Sequence, residues 1–435
     1  MMAQSGERLH RALLQAYQQR RLNSLSWLAA EPALTEAVPY SDNVTQPLAG
    51  LPLVVKDNID VAGMPTSIGT ALLAKELVSQ SAEIVTRLQQ AGAIIIGKAS
   101  MHELASGTSG LNTAQGDVLH PFLSGRVVGG SSSGSAAAVA AGIVSASIGT
   151  DTGASVRLPA SFCGLIGFRP SLLRYPQQGI APISVSRDTA GILAKKINEV
   201  IAIDAVISGE NALPEVRLES LRLGVPRAHF WSGCESAVAQ AAEAVLQKLR
   251  ECGVTLIEVE IAGVAELAAK AGYPLASFEM LRDLPEYLQQ RGSDYNFEQL
   301  KQAIKSPDVK ALLADAALVT AAQYQEALDH WKPLLKARYL AVFRQHQLDG
   351  LIFPSVPLLP PRIEQANALF RQLIANCEPA TIVGLPCISL PLAQTLDGIP
   401  VGIELQFAAG DDRRLLAAAV LLAQGEISDC LPMPD

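Results

Sequence analysis

The 435-residue sequence predicts an α/β fold with a largely buried sheet. Two observations carry that expectation. Short apolar runs alternate with segments of helical periodicity along the first part of the chain, and strand-like runs return near the C-terminus. Hydrophobic residues make up 49% and charged residues 17%, a balance that favours a large buried core over a disordered chain.

Taken in order, residues 7–20 read as a surface helix, with Leu9, Leu13, Leu14 and Tyr17 at helical spacing. Leu51 to Val55 is a short apolar run closed by Lys56-Asp57-Asn58 and reads as a strand. Residues 82–91 suit a helix, and Ala93 to Gly97 a buried strand. A helix over Ser135 to Ala141 and strands at Ile143 to Ile148 and Leu165 to Phe168 continue the rhythm. The stretch from about Leu213 to His346 is different in character. Strands at Leu221 to Val225 and Val254 to Val259 flank a helix over Ser236 to Glu251, and helices rich in Leu, Ala, Gln and Glu follow. Strands return at Gly350 to Phe353, Cys387 to Leu392 and Gly402 to Phe407, and a helix over Arg413 to Gln424 closes the chain. No Pro/Gly-rich linker and no internal repeat divides these parts, so one domain with a helical insertion is expected over 1–435.

Composition narrows the function classes. The net charge is −8 and no basic stretch stands out, which disfavours a nucleic-acid partner. The longest uncharged stretch, Val127 to Thr150, is mostly Ser, Gly and Ala, too polar for a membrane span. The N-terminus has Arg8, Arg11, Arg20 and Arg21 but no apolar core of a signal peptide. The six cysteines (Cys163, Cys234, Cys252, Cys377, Cys387 and Cys430) form no CxxC pair. They read as reduced thiols of a cytoplasmic protein, with neither a metal site nor a cofactor indicated.

Two segments carry the chemistry: Gly129-Gly130-Ser131-Ser132-Ser133-Gly134-Ser135 and Gly149-Thr150-Asp151-Thr152-Gly153-Ala154-Ser155-Val156-Arg157. A flexible linker is disfavoured, because helix and strand patterns follow at once. A phosphate loop lacks its lysine and its spacing. A serine nucleophile fits better, but a serine needs a base. The six histidines (His10, His102, His120, His229, His330 and His346) lie in unrelated contexts, and no serine sits in a nucleophile elbow. A buried lysine is the alternative base, since desolvation leaves it neutral. Lys56, at the end of an apolar strand, is the candidate, although a lone lysine at a strand end is ordinarily solvated.

The runs LPLVVKDNIDVAGMPTSIGT, GGSSSGSAAAVAAGIVSASIGTDTGASVRLPASFCGLIGFRP and IVGLPCISLP…DGIPVGIELQ together resemble the amidase signature family over nearly the whole chain. The resemblance implies a single domain with a central twisted mixed sheet covered by helices on both faces. Its signature core would span about 51–205, a variable helical insertion about 213–346, and a part completing the sheet 350–435. It also implies a Ser–cis-Ser–Lys triad of Ser155, Ser131 and Lys56. These stand 75 and 24 residues apart in chain order (56 to 131, 131 to 155). Ser155 would be the nucleophile, with an oxyanion hole of backbone N–H groups from Thr152, Gly153, Ala154 and Ser155. Asp151 and Arg157 would pair beneath the loop as structural support. Ser133 and Ala154 stand where the family has glycines; strain at Ala154 is expected if that position needs a positive φ.

The implied reaction is hydrolysis of a small-molecule amide through an acyl-enzyme, with no metal. MHELASGTSGLN, GFRPSLLRYPQQGIAPISVSRDTAGILAKK and GVPRAHFW resemble the indoleacetamide and mandelamide hydrolase branch, which implies arylalkyl primary amides and ammonia release. The alternatives are an amide-forming acyl transferase and the amide-hydrolysing component of a glutamine amidotransferase. A homo-oligomer is left open. The insertion is expected to build part of the pocket, with Phe230, Trp231, Tyr273, Phe278 and Tyr287 as its aromatic candidates.

Overall fold

The computed structural model describes residues 2–29 and 46–424; Cys430 lies outside them. The strands are β1 (Leu25–Leu28), β2 (Pro52–Lys56), β3 (Ile94–Ala99), β4 (Ala146–Asp151), β5 (Ile166–Arg169), β6 (Thr189–Ala194), β7 (Arg222–Pro226), β8 (Thr255–Val259), β9 (Gly350–Pro354), β10 (Cys387–Gln394) and β11 (Pro400–Phe407). All belong to one mixed sheet, ordered β1-β3-β2-β4-β6-β5-β10-β11-β9-β7-β8. β3, β2 and β4 run parallel, as do β9, β7 and β8; the pairs between them are antiparallel.

Successive side chains of a strand point to opposite faces, and the core divides accordingly. Leu53, Val55, Ile95 and Ile148 join one cluster; Val54, Ile94, Ile96 and Leu193 join another. The helices Glu83–Gln90, Ile197–Ser208, Ser236–Glu251 and Asp412–Gln424 cover the first face. Met2–Gln18 and Ser133–Ala140 cover the second. Glu83–Gln90 shows the logic: Ile84, Val85 and Leu88 fall at helical spacing and are fully buried, each stabilising by about 1.5–3 kcal/mol. The α/β expectation with helices on both faces is met.

Two strands escaped the sequence reading. β1 is four residues long and half exposed, an edge strand with little apolar signal. β6 (TAGILA) contains a glycine and is followed directly by Lys195-Lys196, which blurs its apolar run.

Residues 213–346 are helical only in part. β7 and β8 extend the sheet, and Ser236–Glu251 lies on its face. The helices beyond them form a cap. Its longest member, Val264–Gln290, packs with Lys332–His346 against Leu351 and Phe353 of β9. Further along, Met280, Leu284 and Leu288 meet Ile68, Leu73, Met101 and Leu104 from the loops after β2 and β3. Among the described residues no helix is long and apolar enough to cross a membrane.

Candidate active site

The parallel strands β2 and β4 end side by side, which brings Lys56 to Thr150 and Asp151. Lys56 is fully buried. Its Nζ donates to Ser131 Oγ at 2.8 Å and to Thr150 Oγ1 at 2.7 Å. Burial pushes the ammonium down to a pKa of about 7, although Asp151 and Asp188 act to raise it. A large share of Lys56 is therefore neutral near pH 7. Next to it, Asp57 takes Lys98 Nζ at 3.2 Å and the Ser26 hydroxyl at 2.9 Å, which pins the end of β2 to β3 and β1.

Ser131 follows a cis peptide bond from Gly130. Gly129 has φ +86°, and a Cβ there would lie 2.4 Å from Leu158 Cδ2, so both conformation and space require glycine. Ser132 ties the two loops together. Its N–H donates to the Ser155 carbonyl at 3.2 Å, and its hydroxyl donates to the Thr150 carbonyl at 3.2 Å. The helix Ser133–Ala140 is buried along its whole length, which explains its small residues.

The loop Thr152–Ser155 lies over a buried ion network. Arg157 pairs with Asp151 at 3.1 Å and also meets Glu404 of β11; Arg169 approaches Asp151 at 3.3 Å. Burial pushes the Asp151 carboxyl up, but the two guanidiniums and the Val156 N–H outweigh it and hold the pKa at about 2. Arg157 donates further to the Gly153 carbonyl at 3.3 Å, so the network fixes the loop from below. Among the described residues the N–H groups of Thr152, Gly153, Ala154 and Ser155 donate to no protein acceptor. Ala154 is not among the non-glycine residues with positive φ, so the strain expected there is absent. Ser133 begins its helix with its side chain facing Gly110, whose added Cβ would lie 2.6 Å from Ser133 Cβ.

All four loop residues line a cavity of about 370 Å3. Its other walls come from Ala105–Thr108, from Gly272, Tyr273, Ala276 and Met280 of the cap, from the helix Pro307–Ala316, and from Asn367, Phe370 and Ile374. Lys56 and Ser131 lie behind the loop, fully buried, while Ser155 is 9% exposed. No histidine lines this cavity. His102 instead turns its ring to Asp308 of the cap at 3.0 Å.

Of the five aromatic candidates, only Tyr273 reaches the cavity. Phe230 and Trp231 pack in the core around β9, Phe278 stacks on Tyr324 at 4.4 Å, and the Tyr287 hydroxyl donates to Asp60 at 2.7 Å. Phe278 lies off the face of Val264–Gln290 that carries Tyr273, Ala276 and Met280, Tyr287 continues that face about two turns beyond Met280, and Phe230 and Trp231 precede the helix. Phe370, which does line the cavity, lies outside the insertion. Sequence reasoning also missed Asp188, Arg187 and Glu404. A charged residue inside the apolar run PVGIELQF was a signal, because Glu404 there needs a buried partner.

Ser155 lines the cavity, and the buried Lys56 and Ser131 lie behind its loop. Residues 8–416 match the family model "Amidase", and the chain belongs to the amidase family, whose members include amide-hydrolysing enzymes. It is 38% identical to an indoleacetamide hydrolase of Allorhizobium ampelinum over 85% of this chain and 83% of the relative. It is 37% identical to a mandelamide hydrolase of Pseudomonas putida, over 92% and 83%. The solved peptide amidase of Stenotrophomonas maltophilia superposes with a TM-score of 0.84 at 25% identity, covering 99% of this chain and 95% of that one. The enzyme is thus an amidase.

Proposed function

We propose that this amidase cleaves small arylalkyl primary amides through an acyl-enzyme on Ser155, with Ser131 and Lys56 as the proton relay. The carrying observation is the buried 2.8 Å contact of Lys56 Nζ with Ser131 Oγ, behind a loop that presents Ser155 to the cavity. Neutral Lys56 takes the Ser131 proton as Ser131 takes that of Ser155. The freed Ser155 oxygen attacks the amide carbonyl. The N–H groups of Thr152 to Ser155, which have no acceptor among the described residues, receive the developing oxyanion; one such donor is worth roughly 10²–10³ in rate. The proton returns through the same relay to the leaving nitrogen, which departs as ammonia. Water then attacks the acyl carbon, and Ser155 is regenerated with release of the acid.

The cavity supports the substrate class. It is large enough for an aryl group, and Ile183, Met280, Leu312, Phe370 and Ile374 give it apolar walls. The named relatives act on indoleacetamide and mandelamide. The test is steady-state kinetics on a series from acetamide through phenylacetamide to indoleacetamide, with ammonia detection. The aryl amides should exceed acetamide in kcat/KM by roughly tenfold or more. Equal values across the series, or turnover only with an added amine acceptor, would reject arylalkyl hydrolysis.

A further inference from the structure

Asp188 plays no part in the relay, yet its surroundings are organised around the site. β6 pairs with β4 so that Thr189 stands opposite Asp151. That register sets Asp188, one residue earlier, beside Thr152, one residue later. Thr152 Oγ1 donates to Asp188 Oδ1 at 2.5 Å, while the N–H groups of Ile183 and Ser184 donate to Oδ2 at 2.8 Å each. The residue is only partly buried, but its carboxylate is enclosed. A second carboxylate grips the same segment from the cap. Glu279 of Val264–Gln290 accepts from the Ser184 hydroxyl at 2.5 Å and from the Ser186 N–H at 3.1 Å.

Resting on the amidase mechanism above, we propose that Asp188 is a positioning residue of this site: it fixes the loop 152–155 through Thr152 and joins that loop to the cap through the segment 183–188. A hydroxyl bonded to a carboxylate is a strong, directional tether. It complements the Arg157 network, which holds the same loop from below at Gly153. Three N–H or O–H donors converge on one carboxylate; an asparagine there can keep the Ile183 and Ser184 bonds only with the Thr152 bond reversed, so that a neutral amide donates to the hydroxyl and the charge-assisted tether is lost.

The charge of Asp188 has a second consequence. Lys56 on β2 feels both Asp188 and Asp151, which raise its proton affinity against burial. Around Asp188 itself stand Glu279, a like charge on the cap helix, and beyond it Lys332, whose Nζ donates to the Ser186 carbonyl at 2.7 Å. Arg169 donates to the carbonyl of the neighbouring Arg187 at 2.6 Å, and Arg187 turns to Glu378. Burial, with the like charge of Glu279 adding to it, pushes Asp188 up to about 6 despite its hydrogen bonds. Above that pH it is an anion beside the base. Removing its charge makes Lys56 easier to deprotonate.

The experiment compares Asp188→Asn, Thr152→Val and the double variant with the wild type. It reads kcat and KM for amide turnover, the pH midpoint of kcat/KM, and the rate of Ser155 labelling by a fluorophosphonate. Asp188→Asn should lose about 10²-fold in kcat with KM within about threefold, and its midpoint should fall by about one pH unit. Thr152→Val should show a similar kcat loss with a smaller fall in midpoint, because losing the Thr152 hydroxyl only raises Asp188 toward its neutral form. The double variant should be no worse than the larger single loss, because both act through one contact. Wild-type kcat and midpoint in Asp188→Asn, or fully additive losses, would overturn the proposal. If Asp188→Asn does not fold, wild-type kcat and labelling in Thr152→Val overturn it alone. A wild type that labels at Ser155 but cleaves no amide would sink the proposed function, while the labelling rates would still test Asp188.

Discussion

The signature core and the helical cap both line one cavity, but they do so in different ways. On the core side, Lys56, Ser131, Asp151 and Arg157 are fully buried and held by hydrogen bonds to named partners. On the cap side, Gly272, Ala276 and Met280 line the cavity as one face of a helix and offer it no charged side chain, although the Gly272 carbonyl accepts from Arg187 at 2.7 Å. The cap is joined to the core by a few polar contacts, His102 with Asp308 and Tyr287 with Asp60 among them. A rigid, satisfied polar site suits chemistry, which tolerates little misplacement. An apolar helix face suits substrate choice, which small volume changes tune. Substitutions in the core should therefore alter kcat or stability, and substitutions on the cap face should alter which amide is preferred.

The largest effect is expected at Ser155. Ser155→Ala should lower kcat by roughly 10⁵-fold or more and abolish fluorophosphonate labelling, with the melting temperature little changed. Labelling found on Ser131 or Ser132 would break the division of roles. Lys56→Ala should follow, with a loss of about 10²–10⁴-fold. Its sign with pH follows from the proposed relay, in which the active form is neutral lysine: wild-type kcat/KM should rise as pH rises through about 7 and level off above. The variant should lose that rise, and a flat wild-type profile would refute the role.

Arg157 tests whether the core network serves stability as well as the loop. Arg157→Met leaves Glu404 and part of Asp151 buried without a counter-charge, and should cost about 3–5 kcal/mol, read as a fall in melting temperature. Asp151 gives the matching pH test. Its folded pKa of about 2 is depressed from 3.8, so the stability it contributes is complete above about pH 4 and is lost as pH falls through 2. The variant should show a shallower loss over that window than the wild type.

The same contrast governs what the sequence revealed. Lys56, Ser131 and Ser155 lie in contiguous motifs, where glycines and small residues are forced by close backbone approach, as at Gly129. Such constraints leave a local signature. Strands with long apolar runs were equally visible, and β10 and β11 were located to within two residues at each end. Arg187 and Glu404 were not found, because their partners are distant in the chain: Arg157 meets Glu404 across 247 residues, and Arg187 meets Glu378 across 191; Asp188 was not found because its tie to the loop, Thr152, lies 36 residues away on the neighbouring strand's end. No local pattern encodes such a contact. The aromatic residues of the insertion misled for a related reason. Their composition suits a core as well as a pocket, and only the rotation of Val264–Gln290 decides that Tyr273 lines the cavity while Phe278 stacks on Tyr324.

The smallest expected effect is on the cap face, and Ala276 is the position that isolates it. Gly272 would be a poor probe, because an added Cβ would lie 2.8 Å from Glu378 Oε1 and disturb the Arg187–Glu378 pair. Ala276 is partly exposed to the cavity, and leucine is nearly as good a helix former as alanine, so Ala276→Leu should change stability by less than about 1 kcal/mol. The added side chain takes space an aryl acyl group would use but leaves room for a methyl group. A few lost methylene contacts, at about 0.8 kcal/mol each, correspond to roughly a tenfold to hundredfold loss. Indoleacetamide should therefore lose about tenfold or more in kcat/KM, mostly through KM, while acetamide stays within about twofold. The ratio between the two substrates is the measurement. An equal loss on both would mean that the cap helix also positions the chemistry, and no loss on either would mean that the acyl group does not reach this face.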